Sequence, residues 1–258
     1  MRSKDSATNR CVPSRSIAWP CVHLSIGTAL RCARRAACRA GYLAATALFV
    51  AWVPALAQDT PFALRGFQLG TTLEEFRKLR HPDEKAAAME LNCAGDPKAK
   101  QFVGPLTIDT SNSELRAGLT RCVQIEKSRG SSSYNQMQLF IGNRHGYPMF
   151  EFFRNNSNEP YRLSQIVVHI RSENYEDLER ALTERYGPPE VSEQQPLQTG
   201  IGLAITAKRR GWANATSSIT LQERAGRMDS GILVYSHTQL TKAASDRVNA
   251  SKKVDDKL

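Results

Sequence analysis

Beyond residue 57 the sequence has only two cysteines, Cys93 and Cys122, and it lacks the short motifs that mark familiar reaction centres. No G-x-S-x-G or S-x-x-K occurs, which argues against the commonest hydrolase nucleophiles. The histidines His81, His145, His169 and His237 show no H-x-x-x-H or H-x-H spacing, so no local segment supplies a metal-ligating pair. The stretch "GFQLGTTLEEF" (66–76) has neither the lysine that follows the last glycine of a phosphate loop nor the G-x-G-x-x-G of a dinucleotide site. Its T-x-x-E element, Thr72 and Glu75, instead reads as a capping box that opens a helix. Glu74-Glu75 and Glu176-Asp177 sit in helix first turns, where acidic groups favour the macrodipole and need no catalytic role.

Charge of one sign is also scarce once the N-terminus is set aside. The uncharged run "GYLAATALFVAWV" (41–53) follows Arg31, Arg34, Arg35 and Arg39 and precedes Pro54 and Ala55-Leu56-Ala57. That order is the pattern of a secretory signal peptide, here with an unusually long basic region, and it places cleavage after Ala57. The run falls short of the roughly 18 to 20 apolar residues of a spanning helix. Eight of the 35 Lys/Arg and one of the 25 Asp/Glu lie in residues 1–57, so the net charge of +10 falls to +3, 27 basic against 24 acidic, in the remainder. The basic pI belongs mainly to the targeting segment, and nucleic acid is not expected as a partner. No cysteine follows the apolar run in the place of a lipid attachment site, so the mature chain, from Gln58, is expected to be an exported periplasmic or secreted protein with no integral membrane segment.

Cys11, Cys21, Cys32 and Cys38 fall in the leader, and an even pair in an exported chain predicts a Cys93–Cys122 disulfide. The alternative, a catalytic thiolate, requires a histidine and an orienting carboxylate beside it.

Along residues 58–238 the hydrophobic period changes twice. In the first unit (about 62–171), "LRGFQLG" leads into a helix with Leu73, Phe76 and Leu79 on one face. "PDEKAAAMEL" reads as a second short helix, with Cys93 in the polar loop after it. "LTRCVQIE", "SYNQMQLFI", "YPMFEFF" and "YRLSQIVVHIR" then read as four antiparallel strands; the last carries Leu163, Ile166, Val168 and Ile170 near one face, with a slip at Gln165. In the second unit (about 172–238), Ser172 or Asn174 opens a helix with the stripe Tyr175, Leu178, Leu182 and Tyr186, and Gly187-Pro188-Pro189 closes it. Three strands follow: "GLAITAKRR", "SSITLQER" and "GILVYSH". Residues 239–258 are polar and read as a disordered tail. The fold class is α+β, two helix-then-antiparallel-sheet units packed as one domain.

The opening "GFQLGTTLEEF", Cys93, "TRCVQI" with Cys122, "LSQIVVHI", "LTERYGPP", Trp212 and "SSITLQ" together resemble exported bacterial proteins of mostly unknown function. The repeat also looks like the β-lactamase-inhibitor-protein-like fold, shared with the small assembly lipoprotein of the outer-membrane β-barrel machinery. The resemblance implies a binding or scaffolding role in the envelope, without the lipoprotein's anchor.

One charged stretch is a candidate surface for an anion or a partner: Lys208, Arg209 and Arg210 followed by Trp212. The competing reading is an edge strand protected by charge, with the indole packed over the core. The expected function is a non-enzymatic envelope protein, without cofactor or metal, that binds another envelope protein through its sheet surface or an interhelical groove. The alternatives are an envelope hydrolase with an unfamiliar site and a small-ligand carrier. Convergence of Cys93, His169 and a carboxylate would favour the enzyme.

Overall fold

The computed structural model describes residues 60–83, 90–96, 108, 110–127, 130, 134–198, 200 and 202–255. The leader and its cleavage site lie outside them. The chain enters through a hairpin of β1 (Ala63–Leu64) and β2 (Phe67–Gln68). Arg65 (φ 52°) and Gly66 (φ 92°) make the turn, both in the positive-φ region that two-residue hairpins use. Thr72 caps α1 (Leu73–Phe76), with the reciprocal Thr72–Glu75 hydrogen bonds of a capping box. The helix is a single turn, and Leu79 is exposed instead of continuing its apolar face.

The second expected helix falls largely on residues 84–89, outside the described residues. Its last two positions belong to a strand, β3 (Glu90–Cys93), which carries Cys93 out of the loop expected for it. Pairing with a neighbouring strand has overridden helix propensity there. A short α2 (Asn112–Arg116) follows, opened by a second capping box, Ser111 with Glu114. Next come β4 (Leu119–Lys127), β5 (Tyr134–Gln136), β6 (Leu139–Ile141), β7 (Arg144–Phe153) and β8 (Arg162–Arg171). The run read as one strand, "SYNQMQLFI", is thus two, β5 on β4 and β6 on β7.

A 3-10 turn (Ser172–Asn174) leads into α3 (Tyr175–Tyr186), which buries Tyr175, Leu178 and Leu182 and stops at Gly187 (φ 85°). Then come β9 (Val191–Gln198), β10 (Ala204–Ala213), β11 (Ser217–Gln222) and β12 (Ser230–His237). Among the described residues the strands assemble into a ten-stranded antiparallel sheet in the order β3-β4-β7-β8-β12-β11-β10-β9, with β5 and β6 alongside β4 and β7. The β8–β12 pairing makes the strands before and after α3 continuous.

Directly opposed residues on neighbouring strands share a face, so the register defines rows across the sheet. One row runs Cys93, Cys122, Phe150, Ile166, Tyr235, Ile219, Trp212. All seven are buried and form the core with the hairpin, α1 and α3. Phe67, Phe76, Phe150 and Phe152 stack there with ring centroids 4.7 to 5.2 Å apart. The slip at Gln165 is a bulge, since Phe152 opposes Leu163 while Glu151 opposes Gln165. The extra residue lets Leu163 and Ile166 face the same core.

The described part of the tail, read from the sequence as disordered, is helical. Residues Thr238–Asp255 form α4, and Leu240, Ala243 and Ala244 pack on Leu119 and Phe153 of the opposite sheet face. The Thr241 hydroxyl donates to the carbonyl of Ser164 at 3.1 Å, and Arg247 donates to the carbonyl of Asn155. Small residues at helical spacing suffice here because the strands beneath supply the large side chains.

Candidate functional site: the open face of the sheet

Several candidates from the sequence are explained by structure alone. Cys93 and Cys122 are bonded through their sulfurs, with Cα atoms 4.0 Å apart on paired strands. His169 lies on the other face of the sheet, opposed to Tyr147 and Ile232, so Cys93 and His169 do not converge. In the glycine-threonine loop, the N–H groups of Gly70, Thr71, Thr72, Leu73 and Glu75 donate to Leu163, Gln68, Glu75, Tyr161 and Thr72 respectively. An anion would have to displace those bonds. Among the described residues no group of three or more His, Cys, Asp or Glu is arranged to hold a metal ion, and no helix is long and apolar enough to cross a membrane.

The basic stretch does not form a patch. Successive residues of β10 point to opposite faces, so Lys208 and Arg210 meet α3 while Arg209 faces away. Lys208 pairs with Glu176, Arg210 with Glu179 at 2.6 Å, and Arg209 with Glu193 at 3.3 Å. Trp212 is only 3% exposed, and its indole N–H donates to the carbonyl of Gly187 at 2.9 Å. The reading of an exposed indole beside free cations is therefore corrected: the indole packs in the core, and each cation has a carboxylate.

The face away from α3 is different. Its rows again follow from register. Nearest α4 runs a polar row: Arg121, Glu151, Gln165, Ser236, Ser218. The next row is Met149, Val167, Val234, Thr220, Gly211, Val191. Beyond it lie Tyr147, His169, Ile232, Gln222, Arg209, Glu193. Met149, Val167, Val234 and Ile232 are half-buried and belong to neither hydrophobic cluster. Burial pulls the His169 imidazole below its ordinary pKa, favouring the neutral ring at this surface. An apolar strip between polar borders has the composition of an interface centre and rim. The sequence shows Val167 and Val234 as parts of apolar runs, but only the register aligns them with Met149 and Thr220.

The polar row is anchored at the α2 end. Arg121 bonds Glu114 at 2.8 Å and Glu151 at 3.1 Å. Burial pushes Glu151 up, and Arg121 only partly offsets it. At Glu114 burial also acts upward, but hydrogen bonds from Arg121 and Ser111 outweigh it and hold the carboxyl at about 2. A carboxyl lowered on folding stabilises the native state above its ordinary value, near 4.5, and that stabilisation is lost as pH falls toward 2. Glu114→Gln should therefore lower stability at pH 7 by about 1 to 2 kcal/mol and by much less near pH 2. Urea unfolding at the two pH values checks this; an equal loss at both would remove the charge argument.

Comparison with known protein families, curated proteins and solved structures found no match to this chain.

Proposed function

We propose that this chain is an exported protein-binding module of the bacterial cell envelope, held together by one disulfide, that engages another envelope protein through the open face of its sheet. In this reading residues 1–57 are removed after Ala57. The two helix-then-sheet units, before and after about residue 172, then act as one scaffold for that face. The resemblance to the β-lactamase-inhibitor-protein-like fold points the same way, and a buried disulfide suits an oxidising compartment.

The observation that carries the reading is the strip Met149, Val167, Val234, Thr220, a largely apolar row that, among the described residues, lies outside the core clusters, on the sheet face opposite the main core. The test is affinity capture from envelope extract with tagged mature chain. Val234→Glu should lose a protein that the wild type retains, whereas a triple Lys208/Arg209/Arg210→Ser variant should keep it. Identical retained sets for the wild type and Val234→Glu would contradict the assignment.

A further inference from the structure

We infer that the occupant of this strip is a single amphipathic helix of the partner, lying across the strands beside α4; the inference rests on the protein-binding reading above. Dimensions come first. From β7 to β9 the strip crosses five inter-strand steps, about 24 Å at the usual strand spacing. That is the length of about 16 helical residues, and the distance of about 14 Å between the two polar borders takes a helix of about 10 to 12 Å diameter. The product is a few hundred Å², well under the roughly 800 Å² per partner of a stable protein interface. A second copy of this chain packed face to face is thus disfavoured.

The second argument is continuity with a contact already present. On this same face α4 leaves the end of β12 at Thr238, bonds Ser164 of β8 through Thr241, packs Ala244 on Leu119 of β4 and Phe153 of β7, and reaches Asn155 with Arg247. It therefore runs crosswise to the strands, parallel to the open strip, with the Arg121-to-Ser218 row between them. A second helix laid on the strip would run alongside α4, about 14 Å away over four strand residues, Phe153 to Met149, with the polar row between the two helices.

The third argument concerns the backbone and charge of the occupant. An extended segment laid on a sheet face leaves its own N–H and C=O groups unpaired, whereas a helix satisfies them internally. Strand addition belongs at the sheet edges, β3 and β9. The borders beside the strip hold no carboxylate, lysine or arginine at their centres, with Gln165, Ser236 and Ser218 on one side and Tyr147, His169, Ile232 and Gln222 on the other. Charges at the row ends come as opposite pairs, Arg121 with Glu151 and Arg209 with Glu193. Such borders select neither nucleic acid nor an anionic lipid surface; they fit a helix with one apolar face and uncharged polar flanks.

The test places a photo-crosslinking benzoylphenylalanine at Val167 or at Thr220 of the full chain, with Glu184 of α3 as the control position, in living cells producing the protein. Val167 and Thr220 are two strands apart, about 10 Å, equivalent to six or seven helical residues. The expected result is adducts from both positions, not from Glu184, whose sites in the partner recur every three or four residues and lie about six to seven residues apart between the two probes. Thr220→Arg should cut the Val167 adduct at least tenfold with an unchanged melting temperature. Partner sites spaced by two residues, sites scattered over several segments, or adducts to a second copy or to this chain's own residues 84–89 or 97–107 would overturn the helix while showing what covers the strip. No adduct from either position would overturn the protein-binding reading with it.

Discussion

Replacing both Cys93 and Cys122 with alanine will lower the free energy of unfolding by about 3 to 4 kcal/mol, because the disulfide closes a loop of sequence separation 29 in the unfolded chain. For a domain whose total stability is of the order of 5 to 15 kcal/mol, that is a large fraction. The bond lies at the end of the longest core row, where β3 is an edge strand joined to β4. Cys93 is 4% exposed and Cys122 fully buried, so the alanines also leave core volume unfilled. Dithiothreitol should therefore bring the wild type close to the variant's stability and leave the variant unchanged in urea unfolding. A loss below about 1 kcal/mol would show that the bond is not structural.

A comparable effect is expected at Gly118, from a different cause. Its φ is +89°, and a Cβ would run into the carbonyl oxygen of Arg154. The contact cannot relax cheaply, because the N–H of Arg154 donates to the carbonyl of Gly118 at 3.0 Å while the Gly118 N–H donates to Leu115 at 3.0 Å. These bonds fix the corner between α2 and β4, beneath which Leu119 and Phe153 receive α4. Gly118→Ala should cost about 3 kcal/mol or more. Gly66 has a similar φ of +92° with nothing within 4 Å of the added Cβ, so Gly66→Ala should cost only about 1 kcal/mol, the backbone penalty alone. Thermal or urea unfolding of the pair separates the crowding from the conformation; equal losses would refute the assignment.

What was legible in the sequence, and what was not, follows from the range of each signal. The capping box at Thr72, the stop at Gly187, the α3 stripe and the slip at Gln165 depend on neighbours a few residues away, and each has its counterpart in the structure. Strand β9 was missed because all of its residues but Gln195 are exposed, five of the eight are Ser, Glu or Gln, and it contains Pro196, which edge strands tolerate. Helix α4 was missed because its buried face is made of alanines and one leucine, adequate only over Leu119 and Phe153, which lie far away in sequence. The same limit applies to the site. Lys208, Arg209 and Arg210 look like a patch in one dimension, yet period-2 alternation sends them to two faces and toward three different carboxylates. Met149, Val167, Val234 and Thr220 look unrelated until four strands are in register.

The open face is the central claim, and its most direct measurement is the affinity of the captured partner for wild-type protein and for Val234→Glu on a biosensor surface, with melting temperatures matched. The account predicts at least a tenfold weaker complex for Val234→Glu, about 1.4 kcal/mol or more, and no change for the Lys208/Arg209/Arg210→Ser variant. Equal affinities for the wild type and Val234→Glu, or a loss confined to the triple variant, would contradict it.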